Sequence, residues 1–188
     1  SWGASVALAF AAALPELTLG VVCVDGGATD LKAYFGPTWE VAEQMMRPPN
    51  LRGITRDALR SWMDSSPLSE GSDPDTAAEI MAGNFETDGD GHLRPHLHVE
   101  QHMKIARELF DLDGYALMSR VRCPVLLIPA GHPDHEDSPK VRAMEHAQAA
   151  LGDRASVVWI DGVHDIPVQR PHEVAAAIAA FMNALDAA

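Results

Sequence analysis

The stretch that decides the fold is residues 1–10, SWGASVALAF, together with residues 19–27, LGVVCVDGG. The first part continues to Ala13 with almost only small and apolar residues, and predicts a helix that is apolar on every side and therefore buried. Pro15 ends this helix, because the residue before a proline disfavours the helical conformation. The second part is a short β-branched run closed by glycines, which is typical of a buried parallel strand. A buried helix followed by a buried strand predicts an α/β fold.

The composition excludes several classes of partner. A chain of 188 residues with 47% hydrophobic residues suits one domain with a sizeable core. Its 14 basic and 27 acidic residues give a net charge of -13, which repels phosphate backbones and anionic membrane surfaces. We therefore expect neither nucleic acid nor a membrane as a partner. Cys23 and Cys123 lie in or beside apolar strand-like runs, so we expect free buried thiols and a cytoplasmic location.

The middle of the chain differs from its two ends. Residues 31–115 lose the alternation of strand and helix and predict a mainly helical cap insertion, with helices at 38–46, 55–63, 74–83 and 99–110. Thr55 and Asp73 have the residue type and position of helix N-caps. Residues 116–188 return to the core pattern, with apolar strands at 125–131 and 155–160 and helices at 140–151 and 173–185. We predict a partial doubly wound parallel sheet made by residues 1–30 and 116–188, with the cap between them.

Polar residues follow each of the predicted strands. The strands end at residues 25–26, 131–134 and 162–164. In open parallel sheets, ligands bind at the carboxyl ends of the strands. A serine, an acid and a histidine thus arrive in chain order at one edge of the sheet. This set of residues is typical of nucleophilic catalysis, in which a histidine activates the serine and a carboxylate orients the histidine.

The sequence resembles the C-terminal part of a serine-dependent α/β-hydrolase-fold protein with a helical cap. Ser-Trp-Gly-Ala at 1–4 resembles the second half of the Gly-x-Ser-x-Gly elbow, CPVLLIPAGHPD at 123–134 resembles the acid strand and loop, and GVHDIPVQRP at 162–171 resembles the histidine loop. The resemblance implies that Ser1 is the nucleophile, His164 the general base and Asp134 the orienting carboxylate. It implies the backbone N–H of Trp2 as one oxyanion-hole donor. Alternatives for the acid remain at Glu136, Asp137 and Asp25.

The same resemblance implies a reaction. It implies a hydrolase that cleaves an ester, thioester or amide-type acyl bond of a small apolar substrate through an acyl-enzyme, with no metal or organic cofactor. It also implies that the early strands and the second oxyanion donor lie on an N-terminal fragment of the same protein, which we expect as a partner. Two alternatives remain open. In the first, the protein is an N-terminal-nucleophile hydrolase that uses the amine of Ser1 as its base. In the second, the chain is a non-catalytic ligand-binding member of the fold.

Two further patterns suggest metal ions. Four histidines lie close together in the cap, at His92, His96, His98 and His102. We interpret them as a solvated face, because no cysteine accompanies them and nothing forces their side chains to converge on zinc. Residues 88–91, DGDG, are interpreted as a turn, because Leu97 stands where a calcium loop needs its bidentate carboxylate.

Overall fold

The structure is a computed structural model that describes residues 1–28, 30–50, 53–134 and 138–187. In chain order its elements are α1 (Trp2–Ala13), β1 (Val21–Val24), α2 (Leu31–Phe35), α3 (Trp39–Met46), α4 (Arg56–Asp64), α5 (Pro74–Ala82), β2 (Phe85–Thr87), β3 (Leu93–Pro95), α6 (Val99–Asp111), α7 (Gly114–Met118), β4 (Val125–Ile128), α8 (Pro139–Leu151), β5 (Ala155–Val157), α9 (Ile166–Gln169) and α10 (Pro171–Asp186). Short 3₁₀ turns lie at Pro15–Leu17, Pro67–Ser69 and Gly152–Arg154.

A small parallel sheet forms the centre of the molecule. Its strand order is β1-β4-β5, with Val21 opposite Val125 and Val125 opposite Ala155. All four residues of β4 are buried, as expected for a strand that is covered on both faces. The predicted third strand is shorter than expected, since the ladder stops at Val157 and only Ile160 returns to the sheet, as a bridge with Ala130.

Helices cover both faces of this sheet. Side chains of β4 alternate between the two layers, because successive residues of a strand point to opposite faces. Val125 and Leu127 pack in one buried cluster with residues of α1, α7 and α8. Leu126 and Ile128 pack in a second cluster with Val174 of α10. The predicted doubly wound arrangement of helix, sheet and helix is therefore present.

Helix α1 departs from the prediction that it is buried on every side. Only Ala4, Leu8 and Ala11 are buried against the sheet layer. The other face carries Trp2, Val6 and Phe10, whose exposed fractions are 48%, 57% and 49%. Among the described residues nothing covers this face, so only one of the two apolar faces of α1 is buried.

The cap consists mainly of helices, as predicted, together with a small hairpin. Helices α3 to α6 agree with the four predicted helices to within one residue at each end. Thr55 caps α4 by accepting a hydrogen bond from the Ala58 amide at 3.2 Å, and Asp73 caps α5 by accepting one from the Thr76 amide at 2.8 Å. Strands β2 and β3 form the antiparallel hairpin, and residues 88–91 are its turn, where Asp88 accepts the amides of residues 90 and 92.

The remaining sequence predictions about the fold concern the thiols and the membrane. Cys23 and Cys123 are free and buried, as predicted. Burial raises the pKa of the Cys23 thiol to about 12, so this residue is protonated at neutral pH. None of the helices in the described ranges combines the length and the hydropathy that crossing a bilayer requires.

Candidate active site

Ser1 lies at the end of β1, directly before α1. Its backbone nitrogen donates a hydrogen bond to the Val24 carbonyl at 2.9 Å, and its carbonyl accepts one from the Ala4 amide at 3.0 Å. Gly26 passes so close that a Cβ there would collide with the Ser1 carbonyl oxygen. The loop after β1, which begins with Asp25, therefore needs glycine at position 26.

Asp25 has an unusual backbone conformation. Its φ of 41° is the one positive φ among the non-glycine residues that the structure describes. Aspartate tolerates this left-handed region better than most residues, and such conformations are frequent at functional sites. Oδ1 of Asp25 accepts the Ala130 amide at 2.8 Å. Because Ala130 follows the central strand β4, this bond places the carboxylate at the end of β4.

The carboxylate of Asp25 holds the predicted base. His164 Nδ1 lies 2.6 Å from Asp25 Oδ2, and Lys140 Nζ lies 2.8 Å from Oδ1 and 3.1 Å from Oδ2. Burial alone would raise the pKa of Asp25, whose side chain is 5% exposed, but the hydrogen bonds from His164, Lys140 and the Ala130 amide outweigh it and lower the pKa below its ordinary value. Asp25 is thus ionised at neutral pH, keeps the proton of His164 on Nδ1, and leaves Nε2 as the nitrogen available to accept a proton.

The structure does not bring Asp134, the expected orienting carboxylate, to His164. Its side chain is 83% exposed and lies 3.2 Å from His132 Nδ1. The physical reason is the position of Asp25, which occupies the end of β4 and the Nδ1 side of the imidazole, while residues 132–134 are exposed to solvent. The alternatives Glu136 and Asp137 lie outside the described residues. The structure thus brings His164 together with Asp25, the remaining alternative.

Ser1 and His164 line one cavity of about 560 Å³, in which Asp25 also lies. Among the described residues the Ser1 hydroxyl makes no hydrogen bond, and catalytic hydrogen bonds are often long without substrate. The N–H of Trp2 belongs to the first turn of α1, where amides have no acceptor within the helix. Its role as an oxyanion donor stays a prediction.

Part of the cavity lining is apolar and comes from the cap. It includes Leu31, Tyr34, Phe35, Met46, Leu109 and Leu112. Tyr115 of α7 supports this region, since its hydroxyl donates to the Ala28 carbonyl at 3.3 Å. The cavity therefore combines polar groups at the strand ends with apolar side chains from the cap, which suits a small ligand with an apolar part.

One group in the described ranges has the spacing of metal ligands. Asp88, Asp90 and His92 place ligand atoms within 4.8 Å of one another in the β2–β3 turn. However, Asp88 Oδ1 already accepts the amides of Asp90 and His92, which explains the cluster as turn structure. Of the four cap histidines, His92 alone belongs to such a group within the described residues, and His102 contacts the Met46 carbonyl instead.

Comparison with solved structures places the fold. No protein-family model matches the sequence, and no curated protein matches it either. The chain is similar in structure to E-2-(acetamidomethylene)succinate hydrolase, with a TM-score of 0.74 and 22% identity over 97% of this chain and 64% of that one. It is similar to the thioesterase domain from the curacin biosynthetic pathway, with a TM-score of 0.61 and 14% identity over 95% and 63%. It is also similar to the hypothetical protein PA1622 from Pseudomonas aeruginosa PAO1, with a TM-score of 0.58 and 18% identity over 98% and 64%.

These likenesses decide the architecture. The chain spans just under two thirds of the length of each of the three solved structures. It has a partial α/β-hydrolase fold, with a small parallel sheet between helices and a mainly helical cap. The fold predicted from the sequence is therefore confirmed.

Proposed function

We propose that the protein is a serine hydrolase in which Ser1 is the nucleophile, His164 the general base and Asp25 the carboxylate that orients it. The observation that carries the proposal is the 2.6 Å contact between His164 and a buried, ionised Asp25, in the same cavity as Ser1. Two of the similar solved structures are a hydrolase and a thioesterase domain, which supports acyl-bond chemistry on this fold.

The arrangement supports a two-step mechanism. Ser1 Oγ attacks the acyl carbon of the substrate while its proton passes to His164 Nε2, and the backbone N–H of Trp2 donates to the developing oxyanion. The negative charge of Asp25 stabilises the imidazolium that forms. His164 then gives the proton to the leaving group, and the acyl group stays on Ser1. Water attacks the acyl-enzyme with His164 again as base, which releases the acid and restores the serine.

The cap narrows the class of substrate. Its apolar side chains face a cavity whose volume of about 560 Å³ suits a small molecule. We infer that the substrate is an ester, thioester or amide with a small apolar group. The cap covers this group, while the acyl carbon lies beside the polar groups at the strand ends. Exclusion of water by the cap would strengthen the interaction of the oxyanion with its donor.

A fluorophosphonate probe with mass mapping tests the nucleophile. We expect the probe to label Ser1, and we expect Ser1→Ala to abolish labelling, since no other hydroxyl is proposed to be activated. Ser5→Ala is the matched control, because Ser5 lies one turn further along α1 and lines the same cavity. Labelling at another residue, or loss of labelling in the Ser5 variant alone, would contradict the proposal.

An N-terminal extension separates the proposal from an amine-based mechanism. A triad does not use the nitrogen of Ser1 as base, so residues added before Ser1 should leave labelling intact. An N-terminal-nucleophile hydrolase would lose activity with the same extension. A protein that binds esters in the cavity without turnover or labelling would instead be a non-catalytic member of the fold.

A further inference from the structure

Lys140 is a charged residue in contact with the candidate triad. Its ammonium lies 2.8 Å from Asp25 Oδ1, 3.1 Å from Asp25 Oδ2 and 2.9 Å from the Ala130 carbonyl oxygen. An ammonium has three N–H donors, and three acceptors surround this one. Although Lys140 lines the cavity, its hydrogen-bonding capacity is therefore directed at Asp25 and the end of β4 and not at a ligand.

The position of Lys140 is unfavourable for its own helix. It lies in the first turn of α8, capped by Ser138, and no acidic residue accompanies it there. The positive end of the helix dipole disfavours a cation in the first turn. The attraction that holds the ammonium in place therefore comes from the carboxylate of Asp25.

Four hydrogen bonds from described residues reach the Asp25 carboxylate. An ionised carboxylate offers about four lone-pair positions. Asp25 receives two hydrogen bonds from Lys140, one from the Ala130 amide and one from His164. Lys140 and His164 thus bind the same carboxylate, so a change in the charge of either side chain alters the electrostatic potential at the other.

We propose that Lys140 is a positioning residue of the active site, which fixes the Asp25 carboxylate against His164 and reduces the negative charge that Asp25 presents to the imidazole. This role rests on the proposed function, because it concerns the same base. Its direction follows from electrostatics. The positive charge of Lys140 disfavours a second positive charge on His164, so loss of the ammonium makes the imidazolium easier to form and raises the pH at which His164 takes up a proton.

Other groups around the cavity have to be held constant in the test. The titratable groups that line it beside Asp25, Lys140 and His164 come from several elements and are the amine of Ser1 and the side chains of Cys23, Asp30, Tyr34, Tyr115, Arg142 and His146. Asp165 follows His164 in the same loop. The variants below leave all of these residues in place, so a difference between variants reports on position 140.

The test compares Lys140→Met, Lys140→Arg and Lys104→Met with the parent chain. Methionine keeps the length of the side chain and removes the charge, whereas arginine keeps the charge. Lys104 is exposed on α6, so its replacement changes the net charge by the same amount away from the site. The titration of each histidine is followed by NMR of the imidazole Cε1–H groups, with His164 assigned by the signal that His164→Asn removes. This measurement needs no turnover, so it decides the role of Lys140 even if the chain proves inactive.

We expect the titration midpoint of His164 to rise by about 0.5–1 pH unit in Lys140→Met. The shift is smaller than that caused by a charge in direct contact with His164, because Asp25 lies between the two side chains. The midpoint should stay near that of the parent in Lys140→Arg and in Lys104→Met. If the chain hydrolyses esters, the acidic limb of kcat/KM should move by the same amount. A lower melting temperature in Lys140→Met with an unchanged His164 midpoint would overturn the proposal, because a merely structural lysine would behave in that way.

Discussion

Asp25 combines features that rarely occur together in a purely structural residue. Its side chain is almost completely buried, its backbone has a positive φ, and its carboxylate accepts hydrogen bonds from a histidine, a lysine and an amide. A buried charge is tolerated only when it is paired. The left-handed backbone directs the carboxylate to the end of β4, where the Ala130 amide binds it. The left-handed backbone and the hydrogen bonds of Asp25 therefore both hold its carboxylate where it contacts His164.

Replacement of the two candidate acids tests this assignment. Asp25→Asn should lower kcat about 10⁴-fold, because an amide no longer stabilises the imidazolium or fixes its tautomer. Asp134→Asn should leave kcat close to that of the parent, since Asp134 is exposed and lies against His132. Both variants are measured with a chromogenic ester over a range of pH, and circular dichroism checks that each is folded.

The opposite result has a clear meaning. A large loss of kcat in Asp134→Asn with a folded chain would restore Asp134 as the acid and would require the loop after β4 to move in the active protein. Equal losses in both variants would exclude a single orienting carboxylate.

At the level of elements, the histidine loop is tied to the cap through α9. Gln169 is 2% exposed, accepts the Val163 amide on Oε1 at 2.8 Å and donates from Nε2 to the Pro67 carbonyl at 2.9 Å. Arg170 Nη1 donates to the Glu70 carbonyl at 2.8 Å, which adds a second link to the same part of the cap. Since Val163 directly precedes His164, the buried side chain of Gln169 connects the histidine loop to the cap.

Gln169→Leu should therefore affect both stability and activity. The substitution keeps the volume but removes the partner of the part-buried Val163 amide and of the Pro67 carbonyl. Two hydrogen bonds at about 0.5–1.5 kcal/mol each make the expected loss about 1–3 kcal/mol of the free energy of unfolding. We expect the loosened loop to lower kcat more than it changes KM, because His164 is the proposed general base of the chemical step. Urea unfolding and ester kinetics measure the two effects.

Gln101→Leu is the matched control for this prediction. Gln101 is exposed on α6, so the same substitution there should change the free energy of unfolding by less than about 0.5 kcal/mol. If Gln169→Leu unfolds at the same urea concentration as the parent, the buried link between the cap and the histidine loop does not contribute to stability.

Local patterns were predictable from the sequence, whereas the contact between distant segments was not. The N-caps Thr55 and Asp73 follow from short-range hydrogen bonding, and the structure has both. Asp25 and Asp134 both follow predicted strands and are indistinguishable by that criterion. What separates them is that Asp25 crosses the end of β4 to reach a residue 139 positions away. That contact depends on strand order and on a positive φ, which neither residue type nor spacing encodes.

On the scale of the whole molecule, one apolar surface lacks a cover in the described residues. Trp2, Val6 and Phe10 follow one another at four-residue spacing along α1 and are each about half exposed. Strand β1 lies at the edge of the sheet and pairs only with β4 among the described strands. Scattered exposed apolar residues are normal, but a contiguous apolar stripe beside an open sheet edge marks an interaction surface. We propose that the early strands of the fold, on a further N-terminal segment of the protein, cover this stripe and pair with β1.

The surface proposal predicts how the 188-residue chain behaves by itself. It should bind the dye 1-anilinonaphthalene-8-sulfonate and self-associate, because the stripe on α1 is open to water. Val6→Asp combined with Phe10→Asp should reduce both effects with little change in melting temperature, since exposed positions make few contacts. Met182→Asp is the matched control, because Met182 is 57% exposed on α10, on the opposite face of the sheet. Gel filtration and dye fluorescence provide the readout. A parent chain that is monomeric, folded and free of dye would contradict the proposal, because its α1 surface would then need no cover.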